Sequence, residues 1–211
     1  MPTQFTYESL ADVQEGDLVG RILDETHWRE RFLNIRGIPS SPVCIAEVLT
    51  SDLGLTGDID LLVLAQGQPE CATAIQVKRI KVSDSTFETG KPNKLAALPE
   101  LYRQTNALVR LGFWQVFSYV VVVVDSRLQN VGSNIYNGLT HELKEHIQSA
   151  IRTDGLHEKA GLIKAEFVQS MDDRPLGAGT FHAQLIRPAI QAEQPTRITD
   201  WVKRKVASSD A

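Results

Sequence analysis

The chain has 211 residues, of which 42% are hydrophobic and 23% charged, and its formal net charge is −4. That length suits one domain with a sizeable core, and the composition excludes collagen-like, fibrous and extensively disordered chains. Two cysteines, Cys44 and Cys71, suit neither a disulfide framework nor a metal cluster.

In chain order, MPTQFTYESL lacks the basic and apolar regions of a signal peptide, so a cytoplasmic protein without a membrane segment is expected. Residues 8–36 hold an amphipathic helical stretch around THWRERFLNI, closed by the turn-like RGIPSSP. Ser41 followed by Pro42 resembles an N-cap with proline at the first helical position, and predicts a short helix through VCIAEVLTS. DIDLLVL (Asp58 to Leu64) reads as a strand, AQGQPEC as a loop and ATAIQVKRIKV as a second strand. A helix over KLAALPELYRQTNALVRLG should stop at Gly112. WQVFSYVVVVVDS is too short to span a bilayer as a helix and reads as a buried central strand. LTHELKEHIQSAIR predicts a helix, GLIKAEFVQSM and TFHAQLI predict strands, and TDWVKRKVA a last helix from Thr199. The pattern is a mixed α/β or α+β domain covering residues 1–211. Its parts are a helical N-terminal region to about residue 56, a central core over 57–125 and a C-terminal α/β extension over 126–211.

Charge is uneven along the chain. Residues 1–62 carry eleven acids against four bases, whereas residues 76–112 carry seven bases against three acids. Such a layout suits a phosphate-facing surface beside a cation-binding one, although a solvated surface explains charge clustering equally well.

Alternation places Asp58, Asp60, Leu62 and Leu64 on one face of their strand, and Gln76 with Lys78 on one face of the next. If AQGQPEC closes a hairpin, Asp60 comes opposite Gln76 and Asp58 opposite Lys78, within about 5.5 Å. The same register groups Ile59, Leu61, Val63, Ile75 and Val77 on the reverse face. Two carboxylates, an amide oxygen and an ammonium at one hairpin end match what Mg²⁺ and an attacking water require.

GDIDLLVL followed by AIQVKR resembles the PD-(D/E)xK nuclease superfamily, in which an aspartate leads an apolar strand and an (E/Q)xK triplet lies on the next. Gly57 and Asp60 fit its GxxD form, and Gln76-Val77-Lys78 is similar to the QxK branch typified by Mrr-like restriction endonucleases. The likeness spans about Glu47 to Asp125, with the motif confined to Gly57–Lys78. It implies a restriction-endonuclease-like αβββαβ core, a central mixed sheet flanked by helices, and hydrolysis of phosphodiester bonds in DNA that depends on Mg²⁺, with Mn²⁺ as a substitute. Asp60 and Gln76 would bind the metal with the Val77 carbonyl and Asp58, Lys78 would position the water, and Glu47 would match the first-helix glutamate. Arg79, Lys81, Lys91 and Lys94 become candidate phosphate contacts, with Tyr102 and Gln104 on the following helix as further nucleic-acid contacts. Restriction, other anti-invader defence and DNA repair are the implied settings, with a homodimer or a protein partner as accessories.

The sequence departs from the pattern in three ways. It offers no obvious domain for reading DNA sequence, such as a helix-turn-helix or zinc finger, which Mrr-like enzymes usually carry. Asp58 is an extra acid, and glutamine in place of glutamate removes a charge. Singly, Asp58 and Asp60 pass as turn residues, Gln76 and Lys78 as the solvated face of an edge strand, Glu47 as a helix-surface acid and Tyr102 as packing. The alternatives are therefore a catalytically decayed nucleic-acid-binding or assembly module, and a partner-binding protein that docks through TDWVKRKVA. HELKEH spaces its histidines wrongly for a zincin, and ETGKPNK lacks the glycine and hydroxyl residue of a P-loop.

Overall fold

The computed structural model describes residues 14–24, 26–34, 42–82, 86, 89–92, 94–125, 139–169 and 179–209. At its centre lies an open mixed sheet of six strands arranged in chain order. These are β1 (Pro42–Leu49), β2 (Asp58–Ala65), β3 (Thr73–Val82), β4 (Gln115–Asp125), β5 (Gly161–Gln169) and β6 (Gly179–Arg187). β1, β2 and β3 are antiparallel neighbours, β3, β4 and β5 run parallel, and β6 returns antiparallel to β5.

Each parallel step needs a crossover, supplied by α3 (Leu98–Leu111) between β3 and β4 and by α4 (His141–Ala150) between β4 and β5. Both helices cover one face, where Leu101, Tyr102, Leu143 and Ile147 pack on Val120, Val122 and Val124. The opposite face is covered by α1 (Glu15–Asp24) and α2 (Thr26–Leu33), which bury Leu18, Ile22 and Phe32 against Tyr119, Val121 and Val123. The Phe32 ring stacks on Tyr119 at 4.1 Å, and the Tyr119 hydroxyl donates to the Phe32 carbonyl at 3.1 Å. Sandwiched in this way, β4 needs no polar face, which is why its sequence is a continuous valine run. α5 (Thr196–Ser209) closes the β1–β2 end by packing Ile198 and Trp201 on Leu62, Leu64 and Ala74.

The mixed α/β class and the strand at 115–125 agree with the sequence, and α3 ends at Gly112, whose left-handed backbone (φ 92°) lets its N–H reach the Val109 carbonyl. The segment from Pro42 is a correction: it is the strand β1, not a helix, and Ser41 lies outside the described residues. β-Branched Val43, Ile45 and Val48 favour extended backbone, and the ladder to β2 meets its polar groups, so tertiary pairing overrides the proline signal. α5 begins at Thr196 rather than Thr199. Among the described residues no helix is long and apolar enough to cross a membrane.

Candidate functional site

β3 has two unlike edges. Toward β4 its ladder is unbroken from Thr73↔Gln115 to Val82↔Val124. Toward β2 it consists of Leu61↔Ile75, Leu62↔Ala74 and Val63↔Thr73 alone. The hairpin register is the one the sequence suggests, but the ladder ends just before Asp60 and Gln76, where the two strands part.

The parting coincides with a twist in the β1–β2 pair. Ala46 and Leu61 pack toward α1, whereas the next partners, Val48 and Ile59, join Leu62 and Leu64 on the other side. Strict alternation would leave Ile59 with Leu61 and Val63, so that expected grouping fails. Between the two pairs sits Glu47 with a left-handed backbone, φ 52°, which non-glycine residues seldom adopt. Gly57, at φ 101°, opens β2, and its carbonyl accepts from both the Thr50 N–H at 3.1 Å and the Thr50 hydroxyl at 2.8 Å.

Once β2 has departed, N–H groups of β3 that would have joined its ladder need other acceptors. The Val77 N–H donates to Asp60 Oδ2 at 2.7 Å, and the Arg79 N–H to Glu15 Oε2 at 2.9 Å. Glu15, which opens α1, also accepts from Lys78 Nζ at 2.5 Å through Oε1 and from Lys94 Nζ at 3.3 Å through Oε2. Gln76, 4% exposed, donates from Nε2 to the Asp58 carbonyl at 2.7 Å, which fixes its amide. A cavity of about 50 Å³, roomy enough for a few waters, opens here between Thr50, Asp58, Gln76, Arg103 and Gln104.

The electrostatics divide the two acids that cap β3. Burial pushes the Asp60 carboxyl up to about 7; the Val77 N–H opposes this, Asp58 and Glu15 reinforce it, and Lys78 counters part of it. Burial acts on Glu15 as well, but Lys78, the Arg79 N–H and the charge of Lys94 together hold its pKa below the usual range. Asp60 thus keeps its proton to near neutral pH, and once ionised its charge is undercompensated by its neighbours.

Among the sequence candidates, Asp58, which is exposed, and Gln76 line this cavity, while Asp60 lies within electrostatic reach of Asp58 and Lys78 on the Val77 N–H. The Val77 side chain is buried in the core on the α1 side, so its contribution to the opening is main chain. Glu47 lies on a strand rather than on a helix, yet its carboxylate abuts the first turn of α1, where a Cβ at Gly16 would collide with it. Arg79 is 9% exposed and so is not a surface cation, Lys81 is half-buried and Lys91 is exposed. Tyr102, at 6% exposure, belongs to the core beneath α3, where burial raises its pKa. Gln104 does line the cavity. Sequence reasoning missed Glu15 and Arg103. The available signal for Glu15 was an acid opening the first amphipathic helix.

Among the described residues no three His, Cys, Asp or Glu side chains form a ready-made metal cage. The donors that do converge are a carboxyl whose ionised form lacks a full counter-charge, an oriented amide and strand main chain, a hard-oxygen set that suits a cation retaining several waters. On that chemistry the residues fit a Mg²⁺-type ion. No known family model matches the chain, and no curated protein matches it.

Proposed function

We propose that this protein is a metal-dependent endonuclease of the PD-(D/E)xK type that hydrolyses phosphodiester bonds in DNA. The observation that carries the reading is the parting of β2 from β3, which leaves the Asp60 carboxylate on the Val77 N–H beside Gln76 and Lys78. Glu15 supports it further: from α1 it holds Lys78, the residue assigned to the water. The element order from α2 to β4, helix, three strands, helix, strand, is the αβββαβ order that the resemblance implies.

Asp60, the Gln76 amide oxygen and the Val77 carbonyl would hold Mg²⁺, or Mn²⁺ in its place, with Asp58 in reach of its waters. When bound, the cation supplies an activated water and Lewis-acid stabilisation of charge on the scissile phosphate. The rest falls to the chain. Lys78, oriented by Glu15, holds the water in line with the phosphorus and offsets charge there. Arg103 and Gln104 on α3, both exposed at the cavity, contact the DNA backbone, with Lys91 as an outlying phosphate contact. A cytoplasmic enzyme of restriction, other anti-invader defence or DNA repair fits this chemistry, and cutting both strands favours a homodimer.

Plasmid cleavage with Mg²⁺, Mn²⁺ or EDTA, beside Asp60→Ala and Lys78→Ala, tests the reading. Metal-dependent nicking or linearisation that both substitutions abolish is expected. Cleavage that survives both would trace to a contaminant and remove the support. A second reading, a decayed DNA-binding module, is favoured by the amide at Gln76 and by Glu15 being already satisfied by three donors. It predicts that Asp60→Ala leaves Mn²⁺ binding unchanged.

A further inference from the structure

Among the described residues two non-glycine positions have left-handed backbone, Glu47 (φ 52°) and Lys94 (φ 67°). They lie far apart in sequence, yet both side chains end at the first turn of α1. The Glu47 carboxylate packs against Gly16, and Lys94 Nζ pairs with Glu15. Unfavourable backbone at two separate places converging on one turn marks that turn as held under constraint.

Glu15 is the hub of that turn, and its three donors are unequal. The Arg79 N–H is fixed by the β3 ladder to β4. Lys78 is at 2.5 Å with its side chain 22% exposed. Lys94 is at 3.3 Å with its side chain 34% exposed, and shares Oε2 with the Arg79 N–H. The half-buried Lys94 pair, the longest of the three and its lysine the more exposed of the two, is the weakest and the most readily exchanged. Glu15 links this pair to the open edge: its charge acts on Asp60, beside which Asp58 also stands, while Lys78 and Lys94 act on Glu15.

We propose that Lys94 is the exchangeable counter-cation of this site. It balances Glu15 while no divalent ion is bound, and on metal entry it is released to meet a backbone phosphate of the incoming DNA. The inference rests on the metal-dependent nuclease reading and adds a regulated step: cation and lysine compete, so phosphate capture by Lys94 follows metal loading. Lys94 acts through Glu15 in the metal-free state, as a positioning residue.

The test uses Lys94→Asn, which removes the charge while tolerating left-handed backbone, and Lys94→Arg, which keeps the charge. Mn²⁺ affinity is read by calorimetry on the full chain, and DNA affinity by anisotropy with a fully phosphorothioate-linked duplex, with Mn²⁺ and with EDTA, across a salt series. Lys94→Asn should bind Mn²⁺ roughly threefold to tenfold more tightly, since a competing positive charge is gone. With Mn²⁺ its DNA salt slope should fall by about one contact relative to wild type, and in EDTA it should match wild type. Lys94→Arg should behave like wild type in both. Unchanged or weaker Mn²⁺ binding by a folded Lys94→Asn, while the wild type binds Mn²⁺ and cleaves plasmid, overturns the counter-cation and leaves the nuclease standing. An equal salt slope with and without metal overturns the release. Failure of the wild type to bind Mn²⁺ at all overturns both.

Discussion

β3 is one strand with two fates. On its β4 edge, all ten residues pair, and the side chains around them are valines, aromatics and a buried Thr105–Ser118 hydroxyl contact at 2.7 Å. On its β2 edge the pairing stops after Ile75, and carboxylates replace carbonyls as acceptors for Val77 and Arg79. A ladder bond costs a protein little to keep, whereas a carboxylate set into the same gap brings desolvation and repulsion. The difference teaches where to look for function: at the place where the fold forgoes cheap main-chain pairing and accepts charge instead.

The largest expected effects fall on the open edge. Asp60→Ala and Lys78→Ala should each lower cleavage by at least about 10²-fold, typical of removing a group that binds the metal or positions the water. Circular dichroism and thermal melts should show that both variants remain folded, since neither side chain is part of the β3–β4 ladder. A closed-edge substitution sharpens the contrast. Lys164 on β5 is also a lysine paired with a glutamate, but it is 4% exposed, 2.7 Å from Glu166 and 3.2 Å from Gln148, inside a fully paired part of the sheet. Lys164→Ala should cost about 2–4 kcal/mol of stability by denaturant unfolding, because Glu166 is left uncompensated, and should leave Mn²⁺ binding as in wild type. Equal loss of Mn²⁺ binding in Lys164→Ala and Asp60→Ala would erase the distinction between the two edges.

Legibility in the sequence followed the same division. The valine run of β4, the hairpin register that pairs Leu61 with Ile75 and the glycine stop of α3 are local or period-two signals, and the fold bears them out. Asp58, Asp60, Gln76 and Lys78 were legible as a group because they sit at facing ends of two apolar strands. Three things were not legible. The strand β1 was masked by Ser41-Pro42, and only pairing with β2 makes it a strand. Glu15 comes within reach of Lys78 across 63 positions of sequence, which no spacing rule reports. Tyr102 and Arg79 carry polar groups typical of nucleic-acid contacts, yet both are buried, Tyr102 in the core beneath α3.

A smaller effect concerns pH. The Asp60 carboxyl is raised to about 7, above the roughly 3.9 of an unfolded chain. Between those values the native state holds a proton that the unfolded state has lost, so this group's contribution falls as pH rises and its full penalty is present above about pH 7. Asp60→Asn, which keeps an oxygen for the Val77 N–H, should therefore match wild type near pH 4 and exceed it by about 1–3 kcal/mol near pH 8, with EDTA present. Adding Mn²⁺ should close that gap by stabilising the wild type alone, as mass action requires of a ligand that binds the native state. A gap that is flat with pH would mean that Asp60 is solvated, and would bring the open edge back toward an ordinary surface.

The smallest expected effect belongs to Glu15, and its sign is opposite. Its pKa lies below the usual carboxylate range because Lys78, the Arg79 N–H and Lys94 outweigh the cost of burial. Its stabilisation is therefore complete above the unfolded value near 4.3 and is lost as pH falls through the lower folded value. Glu15→Gln keeps an oxygen for the Arg79 N–H but removes the charge facing both lysines, so it should cost about 0.5–1 kcal/mol at neutral pH and progressively less as pH falls through that lower folded value. The same substitution removes one of the charges that raise Asp60, so the midpoint at which Asp60 titrates, followed by carboxyl NMR, should move down. If the acid limb of Glu15→Gln changes while the Asp60 midpoint stays put, the two carboxylates cap β3 independently. If both move, the open edge is a single charge-coupled unit, and a cation entering beside Asp60 is felt at Glu15 and through it by Lys78 and Lys94.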